Sequence, residues 1–339
     1  MASVQVGWWV VILLVLLAVV FDFMNGFHDA ANSIATVVST GVLKPGQAVL
    51  FAAVFNFIAI FVFQFSVAAT IGKGLADPGV IDVNIVFGAL MGAIIWNFIT
   101  WYYGIPSSSS HALIGGIVGA VMVKAGASAL VFASVMKTVV FIFVSPLMGF
   151  LLGSLMLILV SWTLRRSTPS RVDRWFRTLQ LVSAGAYSLG HGGNDAQKTI
   201  GIVWMLLIAT GYSAIGDKAP PTWVVVTCYT AIAMGTMFGG WRIVRTMGQK
   251  ICKLRPIDGF CAETASAISI FFSTHMGVPV STTHVITGAI AGVGSARSIA
   301  AVKWDVTLRI VWAWILTIPG AALISTLIWY AITLLGLAG

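Results

Sequence analysis

Apolar residues fill almost every position from Trp8 to Phe23, and comparable runs recur at Gln47–Ile71, Val83–Tyr103, Val131–Trp162, Trp223–Trp241 and Val306–Leu337. About 20 apolar residues in a helix cross the hydrocarbon of a bilayer, so these runs predict membrane-spanning helices. The informative positions are the interruptions. The first run meets Asp22, Asn25, Gly26, His28 and Asp29 before Ala30–Val42, itself carrying Asn32, resumes it, which predicts a helix broken at Asn25-Gly26. Leu179–Leu189 meets the stretch His191–Asp195 before Ile200–Ala209, and predicts a second such break. A different interruption, Gly104–His111, separates Val83–Tyr103 from Ala112–Val123, and Met276–His284 separates Gly259–Thr274 from Val285–Gly294. These two predict hairpins that return to the face they entered from.

The interruptions are duplicated in order. Laying Gly26–Ala35 on Gly192–Gly201 matches Gly26/Gly192, Asp29/Asp195, Ala30/Ala196 and Ile34/Ile200, at an offset of 166. Laying Pro106–Gly115 on Pro279–Gly288 matches the prolines, Ser108/Ser281, His111/His284 and Gly115/Gly288, at an offset of 173. Two matches in one order divide the chain into a first repeat (1–164), a basic linker (165–178) and a second repeat (179–339). The linker carries Arg165, Arg166, Arg171, Arg174 and Arg177 against Asp173, and reads equally as a solvated loop or an amphipathic surface helix. Arg242, Arg245, Lys250, Lys253 and Arg255 form a second basic loop. Cytoplasmic loops concentrate Lys and Arg. With both loops inside, and with hairpins that return, the first repeat crosses three times. An odd count inverts the second repeat, a layout of transporters, and puts both termini outside the cell membrane. The fold class is therefore an all-α polytopic membrane protein of two inverted-topology repeats, with broken helices and re-entrant helical hairpins.

Composition removes other classes. The chain is 59% hydrophobic and 9% charged, far from a soluble domain. Its net charge of +9 is gathered between apolar segments and so does not mark nucleic-acid binding. Cys228, Cys252 and Cys261 have no metal or redox spacing, and the N-terminus has no cationic region of the kind that precedes a cleaved signal. Neither a Walker loop nor an HExxH motif is present, and an enzyme is not expected.

The chemistry lies in the interruptions. Half-helices that start inside the protein aim unpaired N–H groups and a positive dipole end inward, a ready site for phosphate or sulfate. Ser108, Ser109 and Ser110 in one hairpin, and Ser281, Thr282 and Thr283 in the other, add hydroxyl donors; simple capping is the competing role. Asn25, Asn194 and Gln197 are further candidate donors. An acid at membrane depth costs about 3 kcal/mol or more, which makes Asp22, Asp29, Asp195 and Glu263 candidates for function. The competing roles are helix capping for Asp29 and Asp195 and a buried acid satisfied by a neighbour for Asp22 and Glu263. Like charges cannot hold an anion unless cations travel with it, so these acids, with Asn32 and Ser107, are candidate Na+ ligands. Asp22 and Glu263 are also candidate proton carriers, and Lys198 can pair with Asp195 or with substrate. The four histidines of the interruptions, His28, His111, His191 and His284, read as hydrogen-bonding groups of a polar centre.

The segments Asn25–Asn32, Gly193–Asp195 and Pro279–His284 closely resemble signatures of the inorganic phosphate transporter (PiT) family, over essentially the whole chain. The resemblance implies a secondary transporter that carries phosphate with Na+ or H+, the proton-coupled form moving a neutral metal–phosphate complex. It also implies roles in transport for Asp29, Asp195 and Glu263. Position 56, a glutamate matching Glu263 in many eukaryotic members, is Asn56 here, and the short linker points to a prokaryotic member. The expected function is Na+-coupled symport of phosphate by alternating access; sulfate is a weaker alternative substrate. No cofactor beyond the co-transported Na+ is expected. The expected partners are phosphate, Na+ or H+ and the lipid bilayer, with a homodimer left open as the assembly.

Overall fold

The computed structural model describes residues 7–336, and among these every regular element is helical. The first repeat contains α1 (Trp8–Ser39), α2 (Pro45–Ile58), α3 (Ser66–Gly74), α4 (Val83–Tyr103), α5 (Ser109–Ala125) and α6 (Phe132–Thr163). The second contains α7 (Pro169–Ala209), α8 (Thr222–Phe238), α9 (Trp241–Arg245, continued as a π turn to Lys250), α10 (Pro256–His275), α11 (Thr282–Arg297) and α12 (Trp304–Leu334). Helices α1, α4, α6 and α12 are each long and apolar enough to cross a membrane. Outward-facing leucines on α6 (Leu147, Leu151) and α12 (Leu316, Leu323) give those two helices a lipid-facing stripe.

The two predicted breaks at Asn25-Gly26 and His191–Asp195 do not occur: α1 and α7 run straight through them. The glycines serve helix crossing instead. A Cβ on Gly26 would lie 2.1 Å from the Ile232 carbonyl of α8, and one on Gly192 would lie 2.4 Å from the Asn56 carbonyl of α2. Glycine in a helix costs about 1 kcal/mol of propensity, and close backbone packing between membrane helices offsets that cost. The polar side chains bond to neighbouring helices and leave the main-chain ladder intact.

The broken helices lie one element later. The run 47–71 is not one straight span: α2 with its final turn to Phe61 meets α3 at a 78° bend. The run 223–241 likewise bends by 60° between α8 and α9. At the first bend Gln197 of α7 supplies its Oε1 to the N–H groups of Val67 (3.0 Å) and Ala68 (3.3 Å), capping the start of α3. At the second, Gly239 takes a positive φ of 67°, which glycine adopts without a Cβ penalty. The basic linker is largely helical too, because α7 begins at Pro169, with Phe176 buried edge-on against Phe260 and Trp175 exposed. The solvated-loop reading of 165–178 therefore holds only before Pro169.

Two apolar clusters make the core, and they show why the repeats cannot be pulled apart. One combines the N-terminal half of α1 (Val11–Phe21) with α3, α4, α5, α8 and the C-terminal half of α7 (Ala196–Leu207). The other combines the C-terminal half of α1 (Ala31–Val37) with α2, α10, α11 and the preceding half of α7 (Ala184, Tyr187). Each long helix thus passes from one cluster to the other, and its polar stretch falls at the changeover. The outer seams are close crossings: Gly288 and Gly292 of α11 abut Pro146 and Phe150 of α6, and Gly115 and Gly119 of α5 abut Ile318 and Ala322 of α12.

Candidate transport site

Each hairpin turns through a glycine with φ of 65°, Gly104 or Gly277, and restarts at a serine cap. Ser108 Oγ accepts the His111 N–H at 3.2 Å, and Ser281 Oγ accepts the His284 N–H at 3.2 Å. The caps fix the first turns of α5 and α11. The rings of His111 and His284, in those first turns, lie 4.8 Å apart, so two positive helix ends converge.

Between these ends and the middles of α1 and α7 lies a network with the symmetry of the repeat. The second hydroxyl of each hairpin serves the aspartate of its own half: Ser109 Oγ donates to Asp29 Oδ1 (3.4 Å) and Thr282 Oγ1 donates to Asp195 Oδ2 (3.1 Å). The third hydroxyl of each hairpin meets the residue three past the other half's aspartate. Asn32 Nδ2 donates to Thr283 Oγ1 (2.9 Å), and Lys198 Nζ donates to Ser110 Oγ (2.5 Å). All eight side chains are buried.

The network brings Asp29 and Asp195 together. One carboxylate oxygen from each and one ring nitrogen of His191 lie within 4.8 Å of one another. Asn56 Nδ2 donates to Thr236 Oγ1 (2.9 Å), which turns the Asn56 carbonyl oxygen toward His191 Nδ1 at 3.2 Å. With Nδ1–H donating there, His191 presents the lone pair of Nε2 to Asp195 Oδ2, 3.3 Å away. Two carboxylates and an imidazole lone pair facing one point repel unless a cation lies between them. Asp29 is also held by His28 Nδ1 at 2.7 Å; His28 Nε2 lies 3.1 Å from Thr100 Oγ1, to which Ser107 donates at 2.9 Å.

The other residues picked from sequence are placed differently. Asp22 accepts from Thr199 Oγ1 (2.7 Å), two helical turns before Asp29, and its second oxygen has no partner. Glu263 accepts from Gln180 Nε2 (3.0 Å) and Ser183 Oγ (2.5 Å), three turns along α7 before Asp195. Neither acid belongs to the Asp29–Asp195 cluster. Gln197 is committed to capping α3 and to the Gly193 carbonyl (2.7 Å). Asn194 donates to Thr274 Oγ1 (2.8 Å), while its carbonyl oxygen, like that of Asn25, is unpartnered. Asn56 lies on α2, whereas the repeat sets Leu90 of α4 opposite Glu263 of α10. Thr100, Gln180 and Ser183 are not evident from sequence, and Thr199 shows there only as the repeat partner of Ser33. Their signal, a single hydroxyl or amide in an apolar helix, is too common to single out without knowing its neighbour.

The Phosphate transporter family (PHO4) model matches this chain twice, over residues 25–171 and 163–325. A protein of Rhizobium meliloti (strain 1021), named a probable low-affinity inorganic phosphate transporter, is 58% identical over 94% of this chain and 95% of its own length. One of the same name from Bacillus subtilis (strain 168) is 42% identical over 96% of this chain and 97% of its own. A solved structure, that of the sodium-dependent phosphate transporter, superposes with a TM-score of 0.87 at 24% identity, covering 96% of this chain and 99% of that one, and so shares the fold. The duplicated network therefore sits in a multi-pass membrane protein that belongs to the phosphate transporter family.

Proposed function

We propose that the chain is a Na+-coupled phosphate symporter working by alternating access, with phosphate bound between the tips of the two hairpins. The observation that carries this reading is the convergence of two capped helix N-termini directly on a pair of buried aspartates. The helix ends supply positive potential, and Ser110 and Thr283, which accept from Lys198 and Asn32, keep their own O–H groups for an anion. The hydroxyls of Ser109 and Thr282 donate to the aspartates and turn to the anion once cations take those carboxylates. Ser108 and Ser281 hold those turns in place. Asp29 and Asp195 make the same spot hostile to an anion unless cations enter first. Binding of the anion and of Na+ is then linked: each raises the affinity for the other by the same factor. Asn25 and Asn194, with free carbonyl oxygens, and Asn32 and Ser107 complete the polar surround. Asp22 and Glu263 offer separate cation positions on either side. Movement of the hairpins against α1 and α7 would open the site to each face in turn.

A second reading rests on the His191 Nε2 lone pair. Imidazole with two carboxylates is a donor set for divalent ions more than for Na+, which favours a neutral metal–phosphate complex as cargo, driven by protons. Uptake of labelled phosphate into proteoliposomes of the purified protein separates the two. Accumulation under an imposed Na+ gradient supports the first reading. Accumulation only under an imposed pH gradient, with a requirement for divalent metal, replaces it with the second.

A further inference from the structure

Among the described residues Lys198 is the one lysine or arginine that is buried, and all its polar contacts are oxygens. Its Nζ meets Asp195 Oδ1 at 2.5 Å, Ser110 Oγ at 2.5 Å and the Val280 carbonyl at 2.7 Å. A carboxylate, a hydroxyl and a backbone carbonyl are the ligands a hard metal cation takes. They come from three elements: α7, the start of α5 and the turn before α11. Nζ thus joins both hairpin tips at the position an ion would hold.

The repeat provides an internal control. Asn32, the counterpart of Lys198, makes the matching contact to the opposite hairpin at Thr283 but brings no charge. The two aspartates are therefore neutralised differently. Asp195 meets an ammonium tethered three residues along its own helix. Asp29 has only a sequence neighbour, His28, and the shared cluster with His191.

We propose that Lys198 is a tethered stand-in for one coupling cation. The inference rests on the Na+-coupled reading above and specifies its stoichiometry. A tethered ammonium lets the second hairpin close on Asp195 without an ion from solution, and it stays with the protein when the substrate leaves. Each transport cycle then carries one cation fewer than it would with a neutral residue at position 198. The lysine sets the coupling ratio, and with it the gradient against which phosphate can be accumulated.

Dual-label fluxes of Na+ and phosphate in proteoliposomes, under an imposed Na+ gradient, test this with Lys198→Asn and Lys198→Arg beside the wild type. Lys198→Asn should move one more Na+ per phosphate and respond more steeply to Na+ concentration; Lys198→Arg should keep the wild-type ratio. A transporting Lys198→Asn with an unchanged ratio overturns the proposal, and a raised KM for phosphate in that protein would assign the lysine to the substrate instead. If Lys198→Asn does not transport, the thermal shift of the purified protein decides. Greater Na+-dependent stabilisation than in wild type upholds the stand-in, and an equal response overturns it. If wild-type uptake ignores Na+, symport with Na+ fails on its own account. Na+ dependence that then appears only in Lys198→Asn still upholds the stand-in, and Na+ dependence in neither protein overturns it.

Discussion

Asp29 and Asp195 occupy equivalent places in one duplicated scaffold, and they live in different electrostatic surroundings. Both stand in the middle of a long helix, accept a hydroxyl from their own hairpin and lie three residues before a cross-link to the other. Yet Asp195 is in contact with the buried ammonium of Lys198, and Asp29 with an imidazole. Backbone geometry and hydroxyl contacts have been kept in both halves, while the charges have diverged. The shared part is what positions an anion between two helix ends. The divergent part decides which ions must accompany it.

The largest expected effect tests the divergence. Asp195→Asn leaves the Lys198 ammonium buried with only a hydroxyl and a carbonyl, and stranding one member of a buried ion pair costs about 3–5 kcal/mol. The protein should lose both transport and a large part of its thermal stability in detergent. Asp29→Asn strands no fixed cation, so it should abolish phosphate uptake while melting close to the wild type. Combining Asp195→Asn with Lys198→Asn should return much of the lost stability without returning transport. Equal melting temperatures for the two single variants would show that the halves do not differ in the way described.

The shared scaffold should respond alike in both halves, with a smaller effect. Gly26→Ala and Gly192→Ala drive a methyl group into the facing carbonyls of Ile232 and Asn56, 2.1 and 2.4 Å away. Overpacking of this kind costs about 1–3 kcal/mol. Gly46→Ala, where an added Cβ meets no atom within 4 Å, is the control and should melt as the wild type does. A large loss at one glycine and none at the other would mean that only one crossing is tight.

These glycines also show what a sequence can and cannot reveal. Duplicated motifs at fixed offsets located the hairpins, the paired acids and the repeat, because spacing survives in the linear chain. Gly26 and Gly192 sat beside Asn and Asp residues, and that composition looked like a helix breaker. Only the opposing carbonyls, on α8 and α2, reveal a crossing point. Gln197 teaches the same lesson: an amide two residues after Asp195 reads as a substrate donor, and only the folded chain sets the free N–H groups of α3 against its Oε1. Asp22 and Glu263 were recognised as buried acids. Their distance from the Asp29–Asp195 cluster depends on which turns of α1 and α7 face each other, and no pattern along the chain encodes that.

The smallest expected effect compares the turns that follow the two long helices. After α1 the chain turns through Gly41 at φ 70° and reaches α2 within a few residues. After α7 it turns the same way at Gly211 (φ 79°) but carries a longer loop to α8. There Asp217 accepts from Ser213 Oγ (2.6 Å) and the Ala214 N–H (2.8 Å), and Lys73 Nζ donates to the carbonyls of Ile215 and Asp217, both at 2.7 Å. The Ser213 hydroxyl, then the Ala214 amide, hold the Asp217 carboxyl below its ordinary value of 3.8. A carboxyl depressed in the folded state contributes order that is complete above its unfolded pKa and fades as pH falls through the folded one. The loop should therefore be fully ordered at neutral pH and loosen only in strong acid. Asp217→Asn imitates the acid form at neutral pH, so hydrogen exchange at Ala214 should quicken in that variant. Exchange in the turn at Gly41, which has no carboxylate, should be unchanged. Unaltered protection at Ala214 would assign the order of the loop to Lys73 rather than to the aspartate.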